Sequence, residues 1–281
     1  MRPSSDVLDF TVLDETEDWI VVSKAAPLQI HPSKPDGPPT LWHGLRKLLA
    51  YELATGGSLS IINRLDRETS GLTVVAKHKA AARVLHKAMA RREAEKEYLA
   101  LVTGWPEWES LRVEAPILRR GEVMASPIYL LQLVHDAGVP CLTHFRVVSR
   151  WERVIAGKLL RFATIAARPC TGRMHQIRVH LSHTGHGIVG DKLYGPDCQW
   201  YLRQIESGWT PAAAAALHMT RHALHSHRLS FGPGMEWTAP LPADMVEFAS
   251  SSLRGPVPNS GTVFDRQTWW NSPAARCCTD S

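Results

Sequence analysis

The 281-residue sequence predicts an α+β fold, with a mixed, mainly antiparallel sheet flanked by helices in a single domain. Residues 142–149 (LTHFRVVS) and 159–167 (LLRFATIAA) alternate apolar and polar side chains, which is typical of antiparallel strands with one solvent-exposed face. The chain shows no strand–helix–strand repetition, and no glycine-rich turn joins a strand to a helix. These patterns favour antiparallel pairing over a doubly wound parallel sheet.

The first half of the chain supplies a hairpin and two helices. Residues 10–24 (FTVLDETEDWIVVSK) hold two β-rich stretches around a polar turn, and the proline-rich segment up to residue 40 predicts a loop. Leucines at helical spacing then predict a helix that Thr40 caps and that Gly56–Gly57 ends. A second amphipathic helix is predicted over 79–92, with Val84 on its apolar side.

The remaining elements are less regular. Short strands are predicted over 73–76 and 98–103. Residues 175–184 predict a helix that ends before Gly185, although the I-x-V-x-L alternation there also fits a strand. From residue 253 the sequence loses its periodicity and gains Pro, Ser and Gly, so we expect an irregular C-terminal tail over 253–281.

Composition excludes several classes of protein. Thirty-two basic residues against twenty-seven acidic ones give a net charge of +5, which permits nucleic acid or another polyanion as partner without requiring one. The five cysteines form no CxxC pair and indicate a reducing compartment. Acidic residues interrupt the first thirty positions, against a secretory signal, and the apolar runs are too short for a membrane span. We therefore expect a soluble, cytoplasmic protein.

Positive charge is concentrated between residues 64 and 96, where nine basic residues stand against four acidic ones. A helix with several cations on its solvent side could follow a row of phosphates. The alternative is an ordinary solvated helix face.

Two segments carry candidate chemistry. In NRLDRETSG, over 63–71, Asp66 lies between Arg64 and Arg67 on a loop that leads into a strand. The flanking positive charges favour an ionised carboxylate, which could act as a nucleophile or base or belong to a structural ion pair.

The second segment, TGRMHQIRVHL, is dense in hydrogen-bond donors. Arg173, His175, Gln176 and Arg178 occupy four of six consecutive positions. A hydrophobic core does not need so many donors, whereas an anionic ligand or a buried carboxylate does.

Together these segments make the chain resemble the RluA family of RNA pseudouridine synthases. NRLDRETSGL is similar to that family's HRLDxxTSGL, with Asn63 in place of the usual histidine. TGRMHQIRVHL followed by GDKLYG is similar to its second signature, EKEYLALVTG to its KxYxAxVxG strand, and HALHSHRLSFGP with EWTAPLPADM to its closing segment. The resemblance covers residues 10–249 and implies a pseudouridine synthase catalytic domain over 1–252, without the S4-like module of many relatives.

The resemblance also implies roles for individual residues. Asp66 would be the catalytic aspartate, Arg178 the basic residue that pairs with it, and Tyr98 the residue that stacks on the target base. Arg64 would help to displace the flipped nucleotide. The other substrate-binding candidates are Arg67, Arg173, His175 and Gln176, with helix capping and packing as competing roles for the last three. Asp191 and Tyr194 of GDKLYG would shape the turn.

By the same resemblance, the substrate would be structured RNA, a ribosomal or transfer RNA stem-loop, and the reaction would need no metal, redox cofactor or nucleotide. We expect a monomer. Three alternatives remain open: a noncatalytic RNA-binding protein with the same fold, a zinc site among the clustered histidines of 175–186 or 218–227, and a phosphate-handling hydrolase that uses the arginines.

Overall fold

The structure, a computed structural model, describes residues 9–250. The predicted tail over 253–281 lies outside these residues. In chain order the strands are β1 (Phe10–Glu15), β2 (Trp19–Lys24), β3 (Ser60–Ile61), β4 (Ser70–Ala76), β5 (Glu95–Thr103), β6 (Ser110–Glu114), β7 (Ile117–Arg119), β8 (Gln132–Val134), β9 (Leu142–Ile155), β10 (Lys158–Pro169), β11 (Leu224–Ser230) and β12 (Glu236–Thr238). The helices are α1 (Leu41–Leu48), α2 (Ala50–Ala54), α3 (Lys79–Ala90), α4 (Gln176–His183), α5 (Gln199–Ser207), α6 (Pro211–Leu217) and α7 (Ala243–Ser250).

The described residues divide into two compact units. The first comprises 9–96 with Leu224–Pro240, and the second comprises Glu97–Ala223 with 241–250. In the first unit, β2 pairs antiparallel with both β1 and β4, and β3 also pairs antiparallel with β4. Strand β11 runs parallel to β4 and antiparallel to β12. This arrangement brings the loop before β4 next to the start of β11.

The core of the first unit lies between its sheet and α3. Leu72 and Val74 of β4 are fully buried, and Ala81 and Leu85 of α3 pack in the same apolar cluster. The imidazole of His78 caps α3 by accepting a hydrogen bond from the amide of Ala81 (3.3 Å). Burial of apolar side chains along one stripe of the helix fixes which of its faces points to solvent.

The second unit contains an antiparallel sheet in which β10 pairs with β5 and β9, and β9 pairs with β6. Strands β7 and β8 form a separate two-stranded ribbon. Helix α4 contributes Val179 to an apolar cluster that also contains Leu193 and Tyr194. That cluster ties the helix to the turn that follows it in the sequence.

Most predicted elements are confirmed, and two details differ. The helix predicted after Thr40 breaks at Leu49, whose φ of −97° and ψ of 30° separate α1 from α2. Val84 was expected on the apolar side of α3 but is 66% exposed. The buried stripe of α3 is instead centred on Ala81 and Leu85, which turns Val84 toward solvent.

Two of the cysteines, Cys141 and Cys198, are free thiols. None of the helices within 9–250 combines the length and apolarity that crossing a bilayer requires.

Candidate active site

Asp66 lies half-buried on the loop between β3 and β4. Its carbonyl oxygen accepts a hydrogen bond from the amide of Thr69 (3.1 Å), which closes a tight turn. Leu65 and Thr69 are buried, whereas Arg64 and Arg67 are exposed. The loop is therefore fixed by its inward residues and presents one carboxylate between two exposed cations.

A buried lysine holds the middle of this loop. Lys24, at the end of β2, is only 1% exposed. Its ammonium group donates hydrogen bonds to the carbonyl oxygens of Ala25 (3.0 Å), Leu28 (2.9 Å) and Arg67 (3.2 Å). A buried ammonium is stable only when its donors are satisfied. Lys24 therefore ties the residue next to Asp66 to the segment that follows β2.

Asn63 anchors the loop at its N-terminal side. The Oδ1 atom of this buried side chain accepts a hydrogen bond from the amide of Val74 (2.8 Å), and Nδ2 donates one to the carbonyl of Leu72 (2.9 Å). The primary amide thus bonds to β4 much as a neighbouring strand would. Asn63, which stands where the resemblance led us to expect histidine, thus makes a structural contact.

The C-terminal side of the loop is fixed against β11. The hydroxyl of Ser70 lies 2.9 Å from Nδ1 of His225, and both residues are buried. Gly71 has a φ of +107°, and a Cβ placed there would lie 2.2 Å from the carbonyl oxygen of Ser226. Because only glycine fits this close approach, packing against β11 explains why the first motif ends in Ser70 and Gly71.

In the second unit, Arg178 on α4 forms a buried ion pair with Asp191. Its Nε and Nη2 atoms donate hydrogen bonds to the two carboxylate oxygens at 2.7 and 2.9 Å. Asp191 also accepts from the amides of Leu193 (2.9 Å) and Tyr194 (3.1 Å). Full burial opposes ionisation of Asp191, but the charge and hydrogen bonds of Arg178 outweigh it and hold the pKa of this carboxyl well below its usual range.

Tyr194 connects this ion pair to His175. Its ring lies under the guanidinium of Arg178, 5.0 Å from centroid to Cζ. Its hydroxyl accepts from the amide of Gln132 (2.9 Å) and lies 2.7 Å from Nδ1 of His175. His175 itself has a left-handed backbone, with φ 58° and ψ 14°, at the start of α4. A non-glycine residue in this conformation is costly and is often found at functional sites.

Gln176 is buried and makes four hydrogen bonds within the protein. Its Oε1 accepts from the hydroxyl of Thr171 (2.7 Å) and the amide of Arg173 (3.0 Å). Its Nε2 donates to the carbonyl of Leu142 and the hydroxyl of Thr143, both at 2.9 Å. Two lone pairs and two N–H groups are the whole capacity of a primary amide. Gln176 therefore holds the segment before α4 against β9, which is the packing role that competed with substrate contact.

A buried histidine completes this polar network. His180 Nδ1 lies 2.9 Å from the hydroxyl of Thr143, and Nε2 lies 3.0 Å from the carbonyl oxygen of Ala115. The carbonyl requires Nε2 to carry the proton, so Nδ1 accepts from Thr143. Burial lowers the pKa of His180, and the nearby His183 adds to this effect.

The other predicted residues are placed as follows. Tyr98 lies half-buried on β5, opposite Ala167 of β10, and Arg173 is exposed ahead of α4. Asp66, Arg64 and Arg67 share one loop of the first unit. Tyr98, Arg173, His175, Gln176 and Arg178 belong to the second unit.

Sequence reasoning missed several residues that support these loops. Lys24 is the one charged residue of β2 (WIVVSK), and a lone charge at the end of a mostly apolar strand could have identified it from the sequence. The contact of His225 with Ser70 joins positions 155 residues apart, and nothing local predicts it. As to the zinc alternative, residues 9–250 contain no group of three His, Cys, Asp or Glu side chains that could hold a metal ion.

Comparison with known proteins gives a consistent result. The family described as RNA pseudouridylate synthase matches residues 18–183. Ribosomal large subunit pseudouridine synthase D of Haemophilus ducreyi is 33% identical over 249 residues, which cover 85% of this chain and 70% of that protein. The protein of the same name from Escherichia coli K12 is 35% identical over 246 residues, which cover 84% and 68%.

Solved structures show the same similarity. Human RNA pseudouridylate synthase domain containing 1 has a TM-score of 0.62 at 25% identity, covering 85% of this chain and 86% of that one. Human RNA pseudouridylate synthase domain containing 4 has a TM-score of 0.66 at 23% identity, covering 88% and 94%. The predicted fold class is therefore confirmed.

Proposed function

Because the chain belongs to the RNA pseudouridylate synthase family, we propose that it isomerises uridine to pseudouridine in ribosomal RNA. The relatives named above act, by name, on the large ribosomal subunit. The chain spans about two thirds of the length of these relatives. Transfer RNA, which the sequence resemblance also allowed, is the second substrate class.

The reaction rearranges one nucleotide without net oxidation or reduction. The bond between C1′ of the ribose and N1 of uracil breaks, and a bond between C1′ and C5 of the same base forms. C5 loses its proton and N1 gains one, so all atoms balance within the substrate. What the protein must supply is an ionised carboxylate near the sugar and a site that admits an unstacked base.

We propose that Asp66 is this carboxylate. The observation that supports the assignment most strongly is the way its loop is held: Lys24 binds the middle, Asn63 binds one end, and Gly71 packs against β11 at the other. A catalytic group gains from such fixation because little reorganisation is needed when the substrate binds. A loop that served only to link two strands would not need a buried ammonium.

The other site residues extend the proposal. Arg178 would stabilise negative charge at the reacting nucleotide, with Asp191 fixing its guanidinium, and Tyr98 would stack on the target base. Arg64 and Arg67, exposed beside Asp66, would contact the displaced nucleotide and its phosphates.

Three further residues lie at or near the start of α4. Arg173 is exposed and can reach RNA. We propose that His175, at the strained start of α4, contacts the RNA substrate through its imidazole ring. Gln176 acts by holding this segment in place. The catalytic domain over 1–252, the cytoplasmic location and the monomeric state belong to the same proposal.

The experiment is to map pseudouridine in ribosomal and transfer RNA from cells with and without this gene, and to restore the gene on a plasmid. We expect one or a few large-subunit positions to lose pseudouridine in the deletion and regain it with the wild-type gene. If pseudouridine were lost only from transfer RNA, the substrate would be transfer RNA and not ribosomal RNA. Unchanged maps, together with tight RNA binding by the purified protein, would favour the noncatalytic alternative.

A further inference from the structure

Helix α3 carries a row of cations on its solvent face. Lys79, Arg83 and Lys87 are all exposed and are spaced four residues apart, which places them on one side of the helix. With a rise of 1.5 Å per residue the row is about 12 Å long, a distance over which a nucleic-acid strand presents several phosphates. Lys79, Arg83 and Lys87 are called the α3 cationic face below.

Within the described part of the chain, no carboxylate offsets these three charges. The helix itself, KAAARVLHKAMA, contains no acidic residue, and no ion pair joins Lys79, Arg83 or Lys87 to residues 9–250. The neighbouring Lys77 is different, because its ammonium lies 2.8 Å from Glu15 and 3.2 Å from Glu52. Lys79, Arg83 and Lys87 therefore carry positive charge that no ion pair within residues 9–250 offsets.

Helix stability does not explain this arrangement. Lys79 occupies the first turn, where the helix dipole favours negative side chains. Each four-residue step, from Lys79 to Arg83 and from Arg83 to Lys87, brings like charges together and is unfavourable. A sequence that breaks local rules without a structural gain points to a functional reason.

Short side chains flank the row of cations. Ala80 and Val84 follow Lys79 and Arg83 in the sequence, so they lie beside the row, about 100° further round the helix, and both are exposed. Their short side chains do not obstruct the longer lysine and arginine side chains from reaching a ligand. The opposite side of α3 is fixed by Ala81 and Leu85 in the core of the first unit, so the row is held on a rigid element.

We propose that the α3 cationic face binds the phosphate backbone of the RNA substrate, in addition to the loop that carries Asp66. A row of separated point charges fits phosphates, and contacts with phosphates position an RNA without reading its bases. The choice of RNA as the polyanion rests on the proposed function. The contact would contribute affinity and register, independent of the sequence of the RNA.

The test compares two charge-matched variants of the full chain. One replaces the row (Lys79→Gln, Arg83→Gln, Lys87→Gln), and the control removes three exposed charges from other surfaces (Lys47→Gln, Lys158→Gln, Arg203→Gln). Dissociation constants are measured for in vitro transcribed bacterial large-subunit ribosomal RNA at several salt concentrations. Circular dichroism verifies folding, and glutamine preserves helix propensity. Tritium release from the same RNA labelled at uracil C5 is followed in parallel with the wild-type chain.

We expect the α3 variant to bind the RNA at least tenfold more weakly than the wild type at low salt. The slope of its plot of log K against log salt should be less steep by about 2, because each lost phosphate contact contributes roughly 0.7 to the slope. The control should stay within twofold of the wild type. Equal losses in both variants, or an α3 variant that matches the wild type in affinity and slope, would overturn the inference. A wild-type chain that releases no tritium yet shows α3-dependent binding would count against the proposed function while supporting this surface.

Discussion

Arg178 and Asp191 form a two-pronged ion pair in which both carboxylate oxygens accept hydrogen bonds from one guanidinium. The side chain of Asp191 is completely buried and that of Arg178 is 6% exposed. Asp191, which the resemblance assigned to turn formation, therefore also fixes the orientation of a proposed catalytic arginine. Planar bidentate pairing of this kind sets direction as well as charge.

Replacement of Asp191 by asparagine should lower the free energy of unfolding by about 3–5 kcal/mol, because it removes the charge of a fully buried carboxylate that accepts two hydrogen bonds from the guanidinium of Arg178. Urea unfolding of the full chain at pH 7 measures the change. The matched control is Asp197→Asn, which removes a partner of Arg203 on the surface, 3.7 Å away, and should cost less than about 1 kcal/mol. Similar losses in the two variants would show that the buried pair is not special.

Replacement of Lys24 by methionine should lower kcat for pseudouridine formation at least tenfold and leave KM within a few-fold. In this variant the carbonyl of Arg67 keeps the hydrogen bond from the amide of Leu28 (2.9 Å) but loses the one from Lys24 (3.2 Å), so the loop that carries Asp66 is held less firmly. Lys24→Gln retains two donors and should recover part of the rate. A Lys24→Met chain that is folded by circular dichroism and fully active would disprove the positioning role of this lysine.

Asn63 offers a separate test of the same loop. Asn63→Ala removes the hydrogen-bond partner of a buried amide and of a buried carbonyl of β4. This change should destabilise the chain by about 2 kcal/mol or more. Asn63→His restores the residue usual in the family, which has one donor and one acceptor, and should keep activity within a few-fold of the wild type. Thermal unfolding and tritium release measure the two effects. An alanine variant as stable as the wild type would contradict the role of this amide.

His180 should make stability depend on pH. Its pKa is lowered by burial, so the unfolded chain binds a proton more readily than the folded one. This contribution is complete above the ordinary histidine pKa of 6.5 and is lost as the pH falls through it. The free energy of unfolding should therefore fall from pH 7 to pH 5, and less so in His180→Gln than in the wild type. His86→Gln, on the solvent side of α3, is the control, and equal pH slopes for wild type and His180→Gln would rule the effect out.

Local sequence patterns predicted the helices and strands better than they predicted where a helix breaks or which of its faces is buried. The hairpin of β1 and β2 and the strands β9 and β10 follow from alternation and turn residues, which depend on near neighbours. The exposure of Val84 depends on which face of α3 the sheet of the first unit buries. That choice is made by contacts with distant strands, and the sequence of one helix does not contain it.

The candidate site shows the same division. The motifs identified Asp66 and Arg178, but the roles of Lys24 and Asp191 depend on where a carbonyl or guanidinium lies after folding. Gln176 looked like a ligand-binding residue because amides are good donors. Its four internal hydrogen bonds become visible only when Thr171 and Leu142 are brought beside it.

The central claim is that the carboxylate of Asp66 carries the reaction, and Asp66→Asn tests it with least disturbance of the fold. Purified wild-type and variant chains are each incubated in excess with RNA labelled with tritium at uracil C5, and RNA binding is measured on the same samples. We expect the wild type to release tritium in a single turnover, and the variant to bind the RNA with similar affinity and release none. Tritium release by Asp66→Asn at a rate near that of the wild type would contradict the account.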